Sequence, residues 1–444
     1  MRFAVKKLNP GREKKTVALV KGKPSRSPSE SAYSTTMKAM EILYENDRSF
    51  ENSTYEIYRK TVMIKPSLPY PTGGMEPSNM INTDPQACRA VVDWVIEKEA
   101  KKIIIAESNV WKDVDIWDIC GYRSVFTAKP YRSIVDFMDL GTDSEDDLIE
   151  VEYEMARDFY TEQDLAFLKG FLEGRDATKK KASGPKIDFD QAKSCTATFN
   201  KALKDVNVLV NLSKMKTHVQ TGSSLSLNNH FAFLQPQETR YQRHLGMDPL
   251  QRNLSYTELI ISSLHLQRSV ACTAAAFKSL RIPQLCLIDG IISQEGNGPL
   301  NAGKARQENI IAASWNCPAT IDAAITQKFI GLSVDSASYL PPHIQWGSRL
   351  GLGTRDLEDV CLILAREDGI PASSVAEMRN EPDDVFLHPS TVTNGCSPRV
   401  FPRDTLLPVM TRALDELQRQ GIDPNKVFTV VRRKVKLPTG TITG

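Results

Sequence analysis

The sequence lacks most of the features that mark the common function classes. No apolar run approaches the ~18–20 residues a membrane-spanning helix requires, so no membrane partner is expected. The stretch Met1–Lys15 mixes Lys and Arg with single apolar residues and has no apolar segment, so no secretory signal is expected either. The eight cysteines (88, 120, 195, 272, 286, 317, 361 and 396) are scattered singly, and no two lie three residues apart. That spacing removes ferredoxin-type iron–sulfur clusters and the common zinc ribbons. Single cysteines without an export signal point to reduced thiols and a cytoplasmic location. Charge of one sign is also missing: 56 Lys+Arg stand against 54 Asp+Glu, a net +2 over 444 residues. So balanced a chain shows no overall electrostatic footprint of a nucleic-acid binder. Repeats of 20–50 residues are absent, as are GxGxxG, HExxH and GxSxG. One near-match to a phosphate loop, Gly298 through Gly303-Lys304, places Ala305 where Ser or Thr should hold magnesium. It runs on into an apolar strand instead of a helix, which excludes that kind of nucleotide site.

What remains is an ordinary globular composition, 41% hydrophobic and 25% charged, long enough for two or three domains. Apolar strands alternate with amphipathic helices, so the expected class is α/β, with parallel or mixed sheets of Rossmann-like type in two lobes and a cleft between them. The expected organisation is an N-terminal lobe over residues 1–140, a surface excursion or linker over 141–195, a second lobe over 196–365 and a C-terminal extension over 366–444. The acidic block 143–154 and the basic run Lys179–Lys181 mark the excursion, and a late helix is expected over Asp404–Gln420. A possible homo-oligomer is left open.

Local signals support the individual elements. Thr16–Val20 reads as a strand. Ser27-Pro28-Ser29-Glu30 is a capping box with Pro in the first helical turn. Thr61–Lys65 and Ile103–Ala106 read as buried strands, joined by a helix that Thr83-Asp84-Pro85 opens, which makes a βαβ unit. Val206–Leu212, Gln284–Ile291 and Glu308–Ser314 read as further strands. Pro318 opens a helix reaching about Ile330.

The informative pattern is where ionisable residues fall. Four of these strands end in charge: Lys65; Glu107; Lys214, Lys216 and His218; and Asp289 followed by Glu295. In open α/β sheets, ligands bind outside the carboxyl ends of the strands. Two ammonium groups and an imidazole in Lys214-Met-Lys-Thr-His218 would attract an anion, and crowded lysines suit a general base or a Schiff-base amine. His218 is the natural proton carrier near neutral pH. Lys214, Lys216, His218, Asp289 and Glu295 are thus the catalytic candidates. Lys65, Asp84, Glu107, Asn228, Asn229 and Asn297 are the substrate-binding candidates. A divalent metal on His218, His230, Asp289 and Glu295 is the alternative, with His244 as a further imidazole.

The same segments resemble the domain-of-unknown-function 362 family. Its pattern is met by Ile64-Lys-Pro-Ser67, Thr83-Asp-Pro85, Ala106-Glu-Ser108, Lys214-Met-Lys-Thr-His218, Thr221-Gly222, Leu227-Asn-Asn229, Asp289-Gly-Ile291, Glu295–Pro299 and Cys317-Pro-Ala-Thr-Ile-Asp322, across about residues 60–360. The chain departs from the family pattern at Ser67 (Asn), Asn228 (Lys) and Cys317 (Asp). The resemblance implies a shared site and leaves the reaction open. The expected function is an enzyme of isomerase, racemase or lyase type, acting on a small anionic, carboxylate-type metabolite by Lys/His/carboxylate acid–base chemistry. A metal- or cofactor-dependent redox or group-transfer protein, or a non-catalytic metabolite-binding protein, is the alternative.

Overall fold

The computed structural model describes residues 14–23, 27–69, 80–109, 114–142, 144–152, 196–218, 220–235, 256–296, 298, 303–331 and 341–379. Asn297, His244 and the helix expected over Asp404–Gln420 lie outside these residues, as do Lys179–Lys181.

In chain order the strands are β1 (Lys15–Lys21), β2 (Thr61–Pro66), β3 (Lys102–Glu107), β4 (Val135–Asp139), β5 (Leu148–Glu152), β6 (Thr196–Asn200), β7 (Val208–His218), β8 (Gly222–Ser224), β9 (Gln284–Gly296), β10 (Gly303–Trp315) and β11 (Val360–Arg366). The helices used below are α1 (Pro28–Asn46), α2 (Pro85–Glu97), α3 (Ser226–Phe231), α4 (Tyr256–Ser279), α5 (Pro318–Ile325) and α6 (Pro342–Arg349).

Nine strands form one mixed sheet in the order β11-β1-β10-β9-β7-β2-β3-β4, with β8 folded back on β7. The central run β9-β7-β2-β3-β4 is parallel throughout, and β10 is antiparallel to both of its neighbours. The class is therefore α/β, as the alternation of elements predicts. Strands from residues 1–140 and from residues 196–365 share this sheet, because β2 pairs with β7. Both runs are apolar on both faces, so each needs a strand at its side and a helix above and below.

Alternation along the strands sorts the core into two layers. Ala18, Val20, Val62, Ile64, Ile103, Ile105, Val208 and Val210 face α1 and α2, packing with Met40, Leu43, Val91 and Trp94. On the opposite face Met63, Ile104 and Leu209 meet Cys272, Ala276 and Phe277 of α4. There too Val17, Leu19 and Ile288 meet Ile321 and Ile325 of α5. Each fully buried Val, Leu, Ile, Met or Phe side chain among these contributes roughly 1.5–3 kcal/mol. The small β5–β6 ribbon lies on the α4 side, and its Ile149, Val151 and Phe199 join that core.

The helix starts follow the sequence signals. Ser27 and Glu30 form the capping box of α1. Asp84 caps α2 by accepting from Gln86 N at 2.7 Å, with Pro85 in the first turn. α2 stops at Glu97, and Lys102 opens β3.

Candidate functional site

The sheet has a topological switch between β2 and β7. From β2 the chain builds outward through β3 and β4, and on the other side through β7 and β9. The carboxyl ends of β2, β3, β7 and β9 lie along one edge, because these strands are mutually parallel. Such a switch leaves a crevice, since the two connections depart over opposite faces. A cavity of about 180 Å³ sits there.

Strand ends supply the polar part of its lining: Lys65 and Ser67 from β2, Glu107 and Ser108 from β3, Lys216 and His218 from β7, and Ser224 from β8. Asn228 and Asn229 of α3 face it too. Leu68, Pro69, Phe231, Ala232, and Leu266 with Val270 one turn apart on α4, supply an apolar wall.

Lys65 is fully buried and completely engaged. Its Nζ meets Glu107 Oε1 at 2.7 Å and donates to Asn229 Oδ1 and Pro66 O, each at 2.9 Å. Glu107 also accepts from Ser108 N and Leu68 N, so the turn after β2 is tied to β3. Asn229 returns its amide to Lys65 O at 3.0 Å and Asn211 Oδ1 at 2.7 Å. This network fixes α3 against the strand ends.

Lys214 and Asp289 form a second buried pair at 2.8 Å, both fully enclosed. Asp289 also accepts from Asp84 N at 2.9 Å and Ile291 N at 3.0 Å. These three bonds, of the roughly four a carboxylate can accept, hold β7, β9 and the start of α2 together. Neither residue lines the cavity, and neither does Asp84.

Lys216 differs from both. Its Nζ donates to Ser67 Oγ at 3.1 Å and Ile81 O at 2.9 Å, and among the described residues it has no carboxylate partner. Burial, reinforced by the charge of Lys214, lowers its pKa from 10.5 to about 7. A large fraction of this amine is therefore neutral at physiological pH.

His218 is fixed by its backbone. Its Nδ1 accepts from Gln220 N at 3.0 Å and Thr221 N at 3.3 Å. Those donors select the neutral tautomer with the proton on Nε2. Gly222, at φ +74°, makes the tight return into β8 that brings these amides under the ring. Asn228 donates to Thr221 Oγ1 and Ser223 O, and its Oδ1 is buried without a partner among the described residues.

Glu295 is not on the cavity. It belongs to β9, pairs with Arg306 of β10 at 3.3 Å, and faces away from the group around Lys216. Gly298 lies close against β7: a Cβ there would stand 2.1 Å from Thr217 O. His230 is likewise structural in its bonding. Its ring nitrogens meet Ser226 O and Gln284 Oε1, each at 2.9 Å, and burial lowers its pKa to about 4. His218, His230, Asp289 and Glu295 thus do not converge. No group of three or more His, Cys, Asp or Glu placed to hold a metal ion occurs among the described residues.

Three contributors are not evident from sequence. Ser224 is a small polar residue without pattern. α4 supplies the apolar wall, but its period is blurred by burial on several sides. Asp322 of α5 accepts from Ser226 N and Leu227 N, each at 2.9 Å, and so caps the helix that carries Asn228 and Asn229. Its place in a shared motif was visible, but its partner 95 residues away was not.

Known proteins add little about activity. A thylakoid-associated protein of Synechocystis sp. is 27% identical over 160 residues, 32% of this chain and 44% of that protein. This chain therefore matches less than half the length of that relative. A crystal structure of a Thermotoga maritima protein superposes with a TM-score of 0.32 at 10% identity, over 57% of this chain and 52% of that one. No helix among the described residues is long and apolar enough to cross a membrane. The family described as Domain of unknown function (DUF362) is matched over residues 62–166 and 174–327, which span the strand ends, both buried lysine pairs and the cavity, and the chain belongs to that family.

Proposed function

We propose that the protein is an enzyme acting on a small carboxylate-type metabolite, by proton transfer at C2 or C3, next to the carboxylate. The observation that carries this reading is the contrast among three buried lysines: two are paired with carboxylates, and Lys216, which faces the cavity, is not. With Lys65 neutralised by Glu107, the cavity retains the positive character of Lys216, which attracts an anion. The neutral fraction of the same amine can accept a proton near pH 7, where a general base works best. His218, presenting Nε2–H, would hydrogen-bond the oxygen on which charge develops. Asn228 and Asn229 would orient the substrate. Isomerase, racemase and lyase reactions all share this step. The free cysteines among the described residues suit a cytoplasmic setting.

The test is solvent exchange. The protein is incubated in deuterated buffer with a panel of short 2-hydroxy, 2-oxo and 2-amino acids, and NMR follows deuterium entering at C2 or C3. The expected result is catalysed exchange for at least one acid, lost in Lys216→Met. Binding of such acids without any exchange would overturn the catalytic reading.

A further inference from the structure

The three buried lysines also say what kind of carboxylate fits best. Lys65 and Lys214 are each paired with a carboxylate, Glu107 and Asp289 respectively. Lys216 lies among them, is held only by the neutral acceptors Ser67 Oγ and Ile81 O, and lines the cavity. Held this way, the amine can give up its proton without leaving a carboxylate unpaired. Its nearest charged surroundings are Lys214 on its own strand, Lys65 on β2, Glu107 on β3 and Asp289 on β9.

We infer that Lys216 is a covalent amine, which captures a short aliphatic 2-oxo acid as an imine. The inference rests on the reading that this cavity takes small carboxylates, and it names the bond that holds them. The lone pair of neutral Lys216 Nζ attacks the C2 carbonyl carbon. The C–N bond forms as the carbonyl π pair moves onto oxygen, toward the Nε2–H of His218. The oxygen gains the proton that the nitrogen gives up, which yields a carbinolamine. That hydroxyl leaves as water after taking one proton from solvent, and the nitrogen lone pair closes the C=N bond as a protonated imine. Amine, carbonyl and one proton in are balanced by iminium and one water out. No oxidant or reductant is needed.

The apolar wall limits the rest of the molecule. Leu68, Phe231, Leu266 and Val270 favour an alkyl chain over a second charged group. The cavity, at about 180 Å³, is smaller than the ~300–1,000 Å³ of pockets that take drug-sized ligands, which suits a short acid.

The experiment is reductive trapping on the full chain. Glyoxylate, pyruvate and 2-oxobutanoate are each incubated with the protein and sodium cyanoborohydride at pH 7. Intact mass spectrometry and peptide mapping locate the product, and binding of propanoate, which has no carbonyl, is measured in parallel by calorimetry. The expected result is one adduct per chain on the Lys216 peptide, abolished in Lys216→Met and reduced by excess propanoate. Mapping on the parent protein is decisive even if that variant folds poorly. Propanoate binding at Lys216 with no adduct would overturn the covalent step and leave the carboxylate reading standing. Adducts spread evenly over exposed lysines, with Lys216 unmodified, would also overturn it. If neither propanoate nor the oxo acids bind, both readings fail.

Discussion

Lys65 and Glu107 meet at 2.7 Å across two neighbouring parallel strands, and Asn229 completes the amine from a helix 164 residues away. One buried pair thus sets the distance between the ends of β2 and β3 and anchors α3. The Lys214–Asp289 pair does the same for β7, β9 and the start of α2. Lys216, between the two, has no such structural pairing and meets the cavity.

Asp289→Asn should therefore be a stability mutation before it is an activity mutation. It strands the Lys214 ammonium, at an expected cost of about 3–5 kcal/mol. Replacing the pair together, Lys214→Met with Asp289→Asn, which keeps an acceptor oxygen, should recover much of that loss. Urea denaturation of the two single variants and the double variant measures the coupling. Near-additive losses would show that the pair is not the unit described.

Lys216 should show the opposite behaviour, with a pH signature. Its pKa falls from 10.5 in the unfolded chain to about 7 in the fold. Between those values the unfolded chain binds more protons, so this group makes stability rise with pH across that window. At and below about pH 7 the folded protein bears the full cost of a buried ammonium. Lys216→Met removes that cost, so the variant should exceed its parent in denaturation midpoint near pH 7, and the gap should close toward pH 10. Midpoints measured from pH 6 to pH 10 check both the sign and the window.

The cap on α3 should link stability to the site. Asp322→Ala leaves Ser226 N and Leu227 N buried without their acceptor, which should cost about 2–6 kcal/mol at about 1–3 kcal/mol per orphaned group. Ligand binding should weaken with it, because Asn228 and Asn229 ride on that helix. Asp322→Asn, which keeps one acceptor oxygen, should recover part of both. Thermal melts alongside binding isotherms would show whether the two losses track each other.

His218 calls for a substitution that spares the loop. His218→Asn keeps an acceptor for Gln220 N and Thr221 N, so the melting temperature should stay near that of the parent. Turnover should fall by about 10²–10³-fold, the usual loss for one donor to a developing oxyanion. An unchanged rate on a confirmed substrate would remove His218 from the chemistry.

How much of this was legible in the sequence depends on where burial is simple. Thr61–Lys65 and Ile103–Ala106 are apolar on both faces and emerged as β2 and β3 almost residue for residue. The starts of α1 and α2 followed from local capping chemistry at Ser27 and Asp84. The strand expected over Val206–Leu212 runs on through the polar residues that follow, which form the second half of β7. Its Lys and Thr side chains are buried because partners from distant segments satisfy them: Asp289, Ile81 O and Gly296 O. Single-chain pattern carries no record of those partners. The same blindness placed Asp289 and Glu295 in the reacting group, since a carboxylate at a strand end looks alike whether it faces a cavity or an ion-pair partner. Lys216, His218, Lys65, Glu107, Asn228 and Asn229 do gather around one cavity.

The most direct measurement is calorimetric titration of short carboxylates into the parent protein and Lys216→Met at pH 7. The account predicts one-site binding of at least one such acid to the parent and at least tenfold weaker binding to the variant. Equal affinity for the two proteins would contradict it.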